Sequence, residues 1–280
     1  AGRFAILIDA DTEKAIDGSV EVVDSHTVRL NLPGSDISLI AGMSDYPAAI
    51  TPAGFDAETM LENPVGTGPY LPEMLEVGVK AVLVRNEGHD WWGYAAGKGA
   101  YMDRIEYIDY GTDPSAWVAA AAADEVDMFY ETVGDFVDIV EGLGWERSEV
   151  ASAATIVIRP NQLAEVDGKM PYADKRVRQA IAMAVDPAVC LELGYSNRGA
   201  VARGQHVGPM HPAWADVPAM EYNPAKALEL LTQAGMADFE MDVISIDDDW
   251  RKNSTAAVVA QLQDAGFNAK HTIIPGSTFW

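Results

Sequence analysis

Three consecutive aspartates, Asp247-Asp248-Asp249, stand directly before Trp250 in S-I-D-D-D-W, and a second polar stretch, Pro275-Gly276-Ser277-Thr278, follows further along. Carboxylates beside an indole can hold a cation by charge on one side and by an aromatic face on the other. The triplet is a poor calcium site, because the alternating ligands and the glycine of an EF-hand loop are missing. Asp249 is expected to cap a helix, with Asp247 and Asp248 beside it favouring the helix dipole.

Other candidate chemistry is thinner. His206 and His211 lie five residues apart in the Gly/Pro-rich A-R-G-Q-H-V-G-P-M-H-P, with no third ligand and no i, i+4 helical pair, so no metal is expected. The loop N-P-V-G-T-G-P-Y places Pro69 after Gly68, which removes an amide a phosphate would need. It reads as a tight turn leading into a strand. No G-x-S-x-G occurs, and Cys190, the sole cysteine, sits among apolar neighbours as a buried inert thiol. Trp91-Trp92 divides between core packing and a cleft platform. No catalytic constellation, cofactor or metal is indicated.

The elements that position the aspartates are legible. Met241 to Ile246 reads as a strand, Asp249 to Ala265 as a helix stopped by Gly266, and Ala269 to Ile274 as a second strand. Strand, helix and strand make a right-handed βαβ unit with parallel strands. Its two carboxyl ends share one edge, so Asp247 to Trp250 and Gly276 to Thr278 flank one crevice, the usual ligand position in open α/β sheets. Upstream, residues 19–32 read as a hairpin, and strands are expected at Lys80 to Val84, Arg104 to Asp109 and Thr155 to Arg159. Helices should follow Asp113-Pro114 and Asn223-Pro224, where the first residue caps and proline occupies the first turn. Lys175 to Val185 carries Val177, Ala180, Ile181, Ala184 and Val185 on one helical stripe.

A chain of 280 residues with 49% hydrophobic content is globular and long enough for two compact lobes. No apolar run of about 18 residues is present. The net charge of −24 disfavours nucleic acid and anionic membranes as partners. Residues 121–150 hold nine acidic side chains against one base, Arg147. Such an excess reads as solvated surface, or as attraction for cationic ligands.

Five segments then align, in order, with one known family: N-P-V-G-T-G-P-Y at 63–70, L-V-R-N-E-G-H-D-W-W-G at 83–93 and D-E-V-D-M at 124–128, then P-Y-A-D-K-R-V-R-Q-A-I-A-M-A-V-D at 171–186 and Y-N-P-A-K-A-L-E-L-L-T-Q-A-G at 222–235. Together they resemble the extracytoplasmic solute-binding proteins of ABC importers, in the peptide/nickel/opine-binding family 5. The resemblance implies an α/β, two-lobed periplasmic-binding-protein-like fold (class II type), with mixed sheets flanked by helices. It also implies an incomplete chain, with residues 1–153 as part of lobe one and 154–280 as the first part of lobe two. A peptide-binding relative carries an acidic residue for the ligand's amino group where Gly276 stands here, and Trp280 follows four residues on.

What the resemblance implies for function is capture of an oligopeptide, dipeptide or other amine-bearing solute between the lobes, then delivery to membrane permease subunits. The protein would be a periplasmic, extracytoplasmic monomer without catalytic activity. Lobe one would offer Tyr130 and Glu131, just after an expected strand D-E-V-D-M-F. Lobe two would offer His206 with the crevice residues Asp247, Asp248, Trp250, Gly276, Ser277 and Thr278. Glu131 or Asp248 would neutralise an amine or guanidinium, and Trp250 would stack on it. Two other classes stay open: a two-lobed hydrolase or transferase, and a chaperone-like scaffold that needs no ligand.

Overall fold

The computed structural model describes residues 2–150, 154–209, 211 and 214–279, so Trp280 lies outside the described residues. The chain divides into two compact units, residues 1–108 and 109–280.

The first unit is built of small sheets. The hairpin β1 (Val20–Asp24) and β2 (Thr27–Leu30) is antiparallel, with Val20 opposite Leu30 and Val22 opposite Val28. The tight corner at Asp24 is held by the His26 amide, which donates to Asp24 Oδ1 at 2.8 Å. After a short helix α1 (Leu39–Gly42) comes a three-stranded antiparallel sheet of β3 (Tyr70–Glu76), β4 (Lys80–Arg85) and β5 (Arg104–Ile108), with β4 central. As the proline placement requires, the G-T-G loop is an irregular turn running directly into β3. Between β4 and β5 lies α2 (Trp92–Ala95), whose ring pair Trp91 and Trp92 stands 5.6 Å apart. Neither tryptophan is a core residue: Trp92 is 66% exposed and Trp91 half-buried.

Helices dominate the second unit. Asp113 accepts from the Ser115 amide at 2.9 Å and starts α3 (Pro114–Ala122), as its D-P sequence demands. After α4 (Phe136–Gly142) come α5 (Lys175–Ala184) and α6 (Pro187–Tyr195). Of the expected α5 stripe, Val177, Ala180, Ile181 and Ala184 are buried, whereas Val185 is the extended, half-buried residue that ends the helix. Asp186 caps α6 through the Ala188 amide at 2.9 Å. Asn223 caps α7 (Pro224–Gln233) through the Lys226 amide at 3.1 Å.

The βαβ unit closes the chain. The strands β6 (Met241–Ile246) and β7 (Ala269–Ile274) pair in parallel from Met241–Ala269 to Ile246–Ile274, joined by α8 (Asp249–Asp264). A one-turn helix, α9 (Gly276–Phe279), follows β7. Leu231, Met241, Leu262 and Val177, each at most 1% exposed, anchor one contiguous core that α5, α7, α8, β6 and β7 share. Burying one such side chain contributes about 1.5–3 kcal/mol.

Helix α6 rests on α8 at close range. A Cβ on Gly194 would lie 2.9 Å from the Ser254 Cα, so only glycine allows this approach. Gln261 completes the seam: its Oε1 accepts from the Asp186 amide at 2.8 Å, and its Nε2 donates to the Asp186 carbonyl at 3.3 Å. Ser254 Oγ, buried in the same seam, finds no hydrogen-bond partner among the described residues.

Three local expectations are corrected. Residues 155–159 form no strand: Ile156 and Ile158 stay 51% and 41% exposed, and no described strand pairs with the segment. Alternation alone cannot supply the ladder hydrogen bonds that define a strand. The D-E-V-D-M-F segment is likewise irregular rather than a strand. Helix α8 is capped by Asp248, whose Oδ1 accepts from the Arg251 amide at 3.1 Å, so Asp249 is its first residue.

Candidate ligand-binding site

Parallel pairing brings the ends of β6 and β7 side by side, and Asp247 ties them together. Its Oδ1 accepts from the Gly276 amide at 3.0 Å, fixing the start of α9 against the end of β6. The next residue turns away to begin α8. Asp248 caps the helix, and its Oδ2 also pairs with the Arg251 guanidinium. Asp249 pairs with Lys252 Nζ at 3.3 Å. The three aspartates therefore have three separate partners and do not pool their charge. Among the described residues, no group of three or more His, Cys, Asp or Glu could hold a metal ion.

Arg251 lies over the Trp250 ring, its guanidinium carbon 3.9 Å from the ring centroid. One indole face expected to be free for ligand thus already carries the protein's own cation. Tyr195, the last residue of α6, meets Trp250 edge-on at 5.4 Å. Its hydroxyl donates to Glu131 Oε1 at 3.4 Å. Burial, reinforced by the Glu131 carboxylate, pushes the Tyr195 phenol up to about 12.

A cavity of about 100 Å³ opens beside this group. Glu131, Asp248 and Trp250 line it, as do Arg251, Trp117 of α3 and Phe136 of α4. The Trp117 indole is oriented by its Nε1, which donates to the Gly111 carbonyl at 3.1 Å. Two further contacts hold the α4 side in place. Ser196 Oγ donates to Asp135 Oδ1 at 3.0 Å, and Arg198 pairs with Asp138 at 2.5 Å.

The structure thus gathers Glu131, Asp248 and Trp250 around one space, with Asp247 and Gly276 bonded to each other. It does not bring in the rest. Tyr130 is 98% exposed, and His206, Ser277 and Thr278 are exposed and outside the cavity. Arg251, Tyr195 and Phe136 escaped the sequence reading. The Asp186-Pro187 cap was the available signal for Tyr195, because it starts the helix that ends there. An Asp at i and an Arg at i+3 was the signal for Arg251.

Cys190 is half-buried and free rather than fully buried. Burial raises its thiol pKa, and Gln261 Nε2 lies 3.5 Å from the sulfur. An unreactive thiol follows.

Instead of the expected mixed sheets, the described sheets are each purely antiparallel or purely parallel. Parallel strands ending at a crevice and flanked by helices, together with separate antiparallel sheets, define the class: the fold of the two-lobed periplasmic binding proteins. A Helicobacter pylori ABC transporter-associated periplasmic binding protein, solved with the peptide STSA, superposes with a TM-score of 0.67 at 21% identity, over 94% of this chain and 51% of that one. The sequence matches the bacterial extracellular solute-binding proteins, family 5 Middle, over residues 5–280, and the chain belongs to that family. Similar curated proteins include heme-binding protein A of Haemophilus influenzae, 27% identical over 80% of this chain and 41% of its own length. The dipeptide-binding protein of Escherichia coli is 24% identical over 88% of this chain and 46% of its length. The chain therefore spans less than half the length of these two relatives. No helix among the described residues is long and apolar enough to cross a membrane.

Proposed function

We propose that this chain is part of the substrate-binding component of an ABC importer, which captures a small solute and hands it to membrane permease subunits without chemical change. The family match across residues 5–280 carries this reading. The crevice at the ends of β6 and β7 supports it. There Asp247, Asp248 and Trp250 are committed to a hydrogen bond, an ion pair and an aromatic contact.

Peptides and amine-bearing solutes are the preferred ligands. The net charge of −24 favours cations over anions, and Glu131 has no cationic partner among the described residues. Of the sequence candidates, Glu131, Asp248 and Trp250 are placed best for contact, with Asp247 and Gly276 shaping the crevice floor. The protein works outside the cytoplasmic membrane as a monomer and binds no nucleic acid. Ligand favours whichever state of the protein makes the additional contacts.

A thermal-shift screen of the full-length protein tests this against peptides, amino acids, opines, sugars, polyamines and nickel chelates. A peptide or amine should raise the melting temperature, because a ligand bound only to the native state stabilises it. A shift with a neutral sugar alone overturns the ligand preference. Turnover of any bound compound overturns the binding-protein reading.

A further inference from the structure

We propose that the cavity between Trp117, Phe136 and Trp250 is a receptor for an alkylated ammonium headgroup, with Glu131 as its counter-ion. This deepens the solute-binding reading and rests on it. Size comes first. A cavity of about 100 Å³ is far below the ~300 Å³ where pockets for whole drug-sized ligands begin. It has room for about three waters, so one headgroup enters and the remainder of a ligand stays outside.

The charge inventory selects the headgroup's sign. Three carboxylates and one guanidinium line the cavity. Asp248 is satisfied by the Arg251 amide and guanidinium, and Asp249 by Lys252. Both sit at the first turn of α8, where they also offset the positive end of that helix. Glu131 accepts only the Tyr195 hydroxyl, at 3.4 Å, and no cation pairs with it among the described residues. Its negative charge is the one left for a ligand.

Hydrogen-bonding capacity then separates one kind of cation from another. A primary ammonium brings three donors and needs three acceptors once it leaves water. Here Glu131 is the one carboxylate without a cation, Asp248 and Asp249 are engaged by Arg251 and Lys252, and the uncharged walls are indole, phenyl, proline and valine. An ammonium whose donors are replaced by methyl groups loses nothing in such a space. It gains attraction from the aromatic faces and charge from Glu131. Arg251 over Trp250 at 3.9 Å shows the same preference within the protein itself. Trp117 and Phe136 supply the walls that Arg251 leaves uncovered.

The test uses the full-length protein and isothermal titration with three probes: tetramethylammonium, methylammonium and the neutral isostere tert-butanol. Tetramethylammonium is expected to bind at least tenfold more tightly than either of the others. Glu131→Gln should weaken it about tenfold, and Phe136→Leu, which keeps an apolar side chain but removes the π face, should weaken it severalfold. Circular dichroism identifies any variant that fails to fold, and the wild-type probe ranking then decides alone. Equal or tighter binding of methylammonium or tert-butanol overturns the proposal, as does unchanged affinity in folded Glu131→Gln. If tetramethylammonium fails while another solute from the thermal-shift screen binds, the headgroup assignment falls and the solute-binding reading stands. If nothing in that screen binds, both fall.

Discussion

Residues 2–108 and residues 109–279 solve the problem of stability differently. In the first region the described buried hydrophobic residues are Leu7, Leu39, Val82 and Ala100, scattered over separate elements. Val22 and Val28 of the hairpin remain 74% and 58% exposed, and Val77 beside β3 is 90% exposed. In the second region one contiguous cluster runs through three helices and both parallel strands. The residues that line the candidate cavity all belong to this second region. A site needs side chains held by packing and by a second layer of hydrogen bonds, and the region with the continuous core provides both.

Core truncation should break this contrast most visibly. Leu231→Ala, at a fully buried position, is expected to cost about 2–5 kcal/mol, whereas Val22→Ala in the hairpin should stay within about 0.5 kcal/mol. Denaturant titration measures both. Equal losses would mean that the two regions do not differ in packing as described.

Next in size is the α6–α8 seam. Gly194→Ala forces a methyl against Ser254 and should cost about 1–3 kcal/mol by overpacking. It should also disturb the Tyr195–Trp250 contact, read as a change in tryptophan fluorescence. Removing the cap is milder: Asp248→Ala should cost about 1 kcal/mol and release Arg251 from its partner. Ser254→Ala acts in the opposite direction. It deletes a buried hydroxyl without a partner, so the melting temperature should rise slightly.

A further effect is a titration. The Tyr195 phenol sits at about 12 in the folded protein, above its ordinary value of 10. The unfolded chain therefore releases this proton first. The contribution is complete below about pH 10 and is lost as pH rises towards 12. Burial also raises Tyr110 and Tyr172, so ultraviolet titration of phenolate should show several late-ionising tyrosines, of which Tyr195→Phe removes the one at about 12, and Glu131→Gln should bring that ionisation earlier.

Local signals made much of the second region legible. Asp113-Pro114 and Asn223-Pro224 mark helix starts, the stripe on α5 marks its buried face, and the βαβ pattern places the crevice. Residues 155–159 show the limit. Their alternation fits a strand, but pairing is a long-range property, and no described strand lies beside them. The site was half legible for the same reason. Asp248 and Trp250 follow from a strand's end, and Glu131 was picked out from the resemblance. Trp117 and Phe136 reach the cavity, and Tyr195 its lining residues Trp250 and Glu131, only because separate helices pack together. Tyr130 and His206 were plausible by residue type, yet nothing in their local sequence fixes which way they point.

The central claim is that this family member binds a solute and leaves it unchanged. Isothermal titration of the full-length protein with the strongest ligand from the screen, followed by recovery of that ligand, tests it most directly. The account predicts saturable one-to-one binding, recovery of the ligand intact and a marked loss of affinity in Glu131→Gln. Conversion of the ligand to product, or the absence of saturable binding to any solute class, would contradict it.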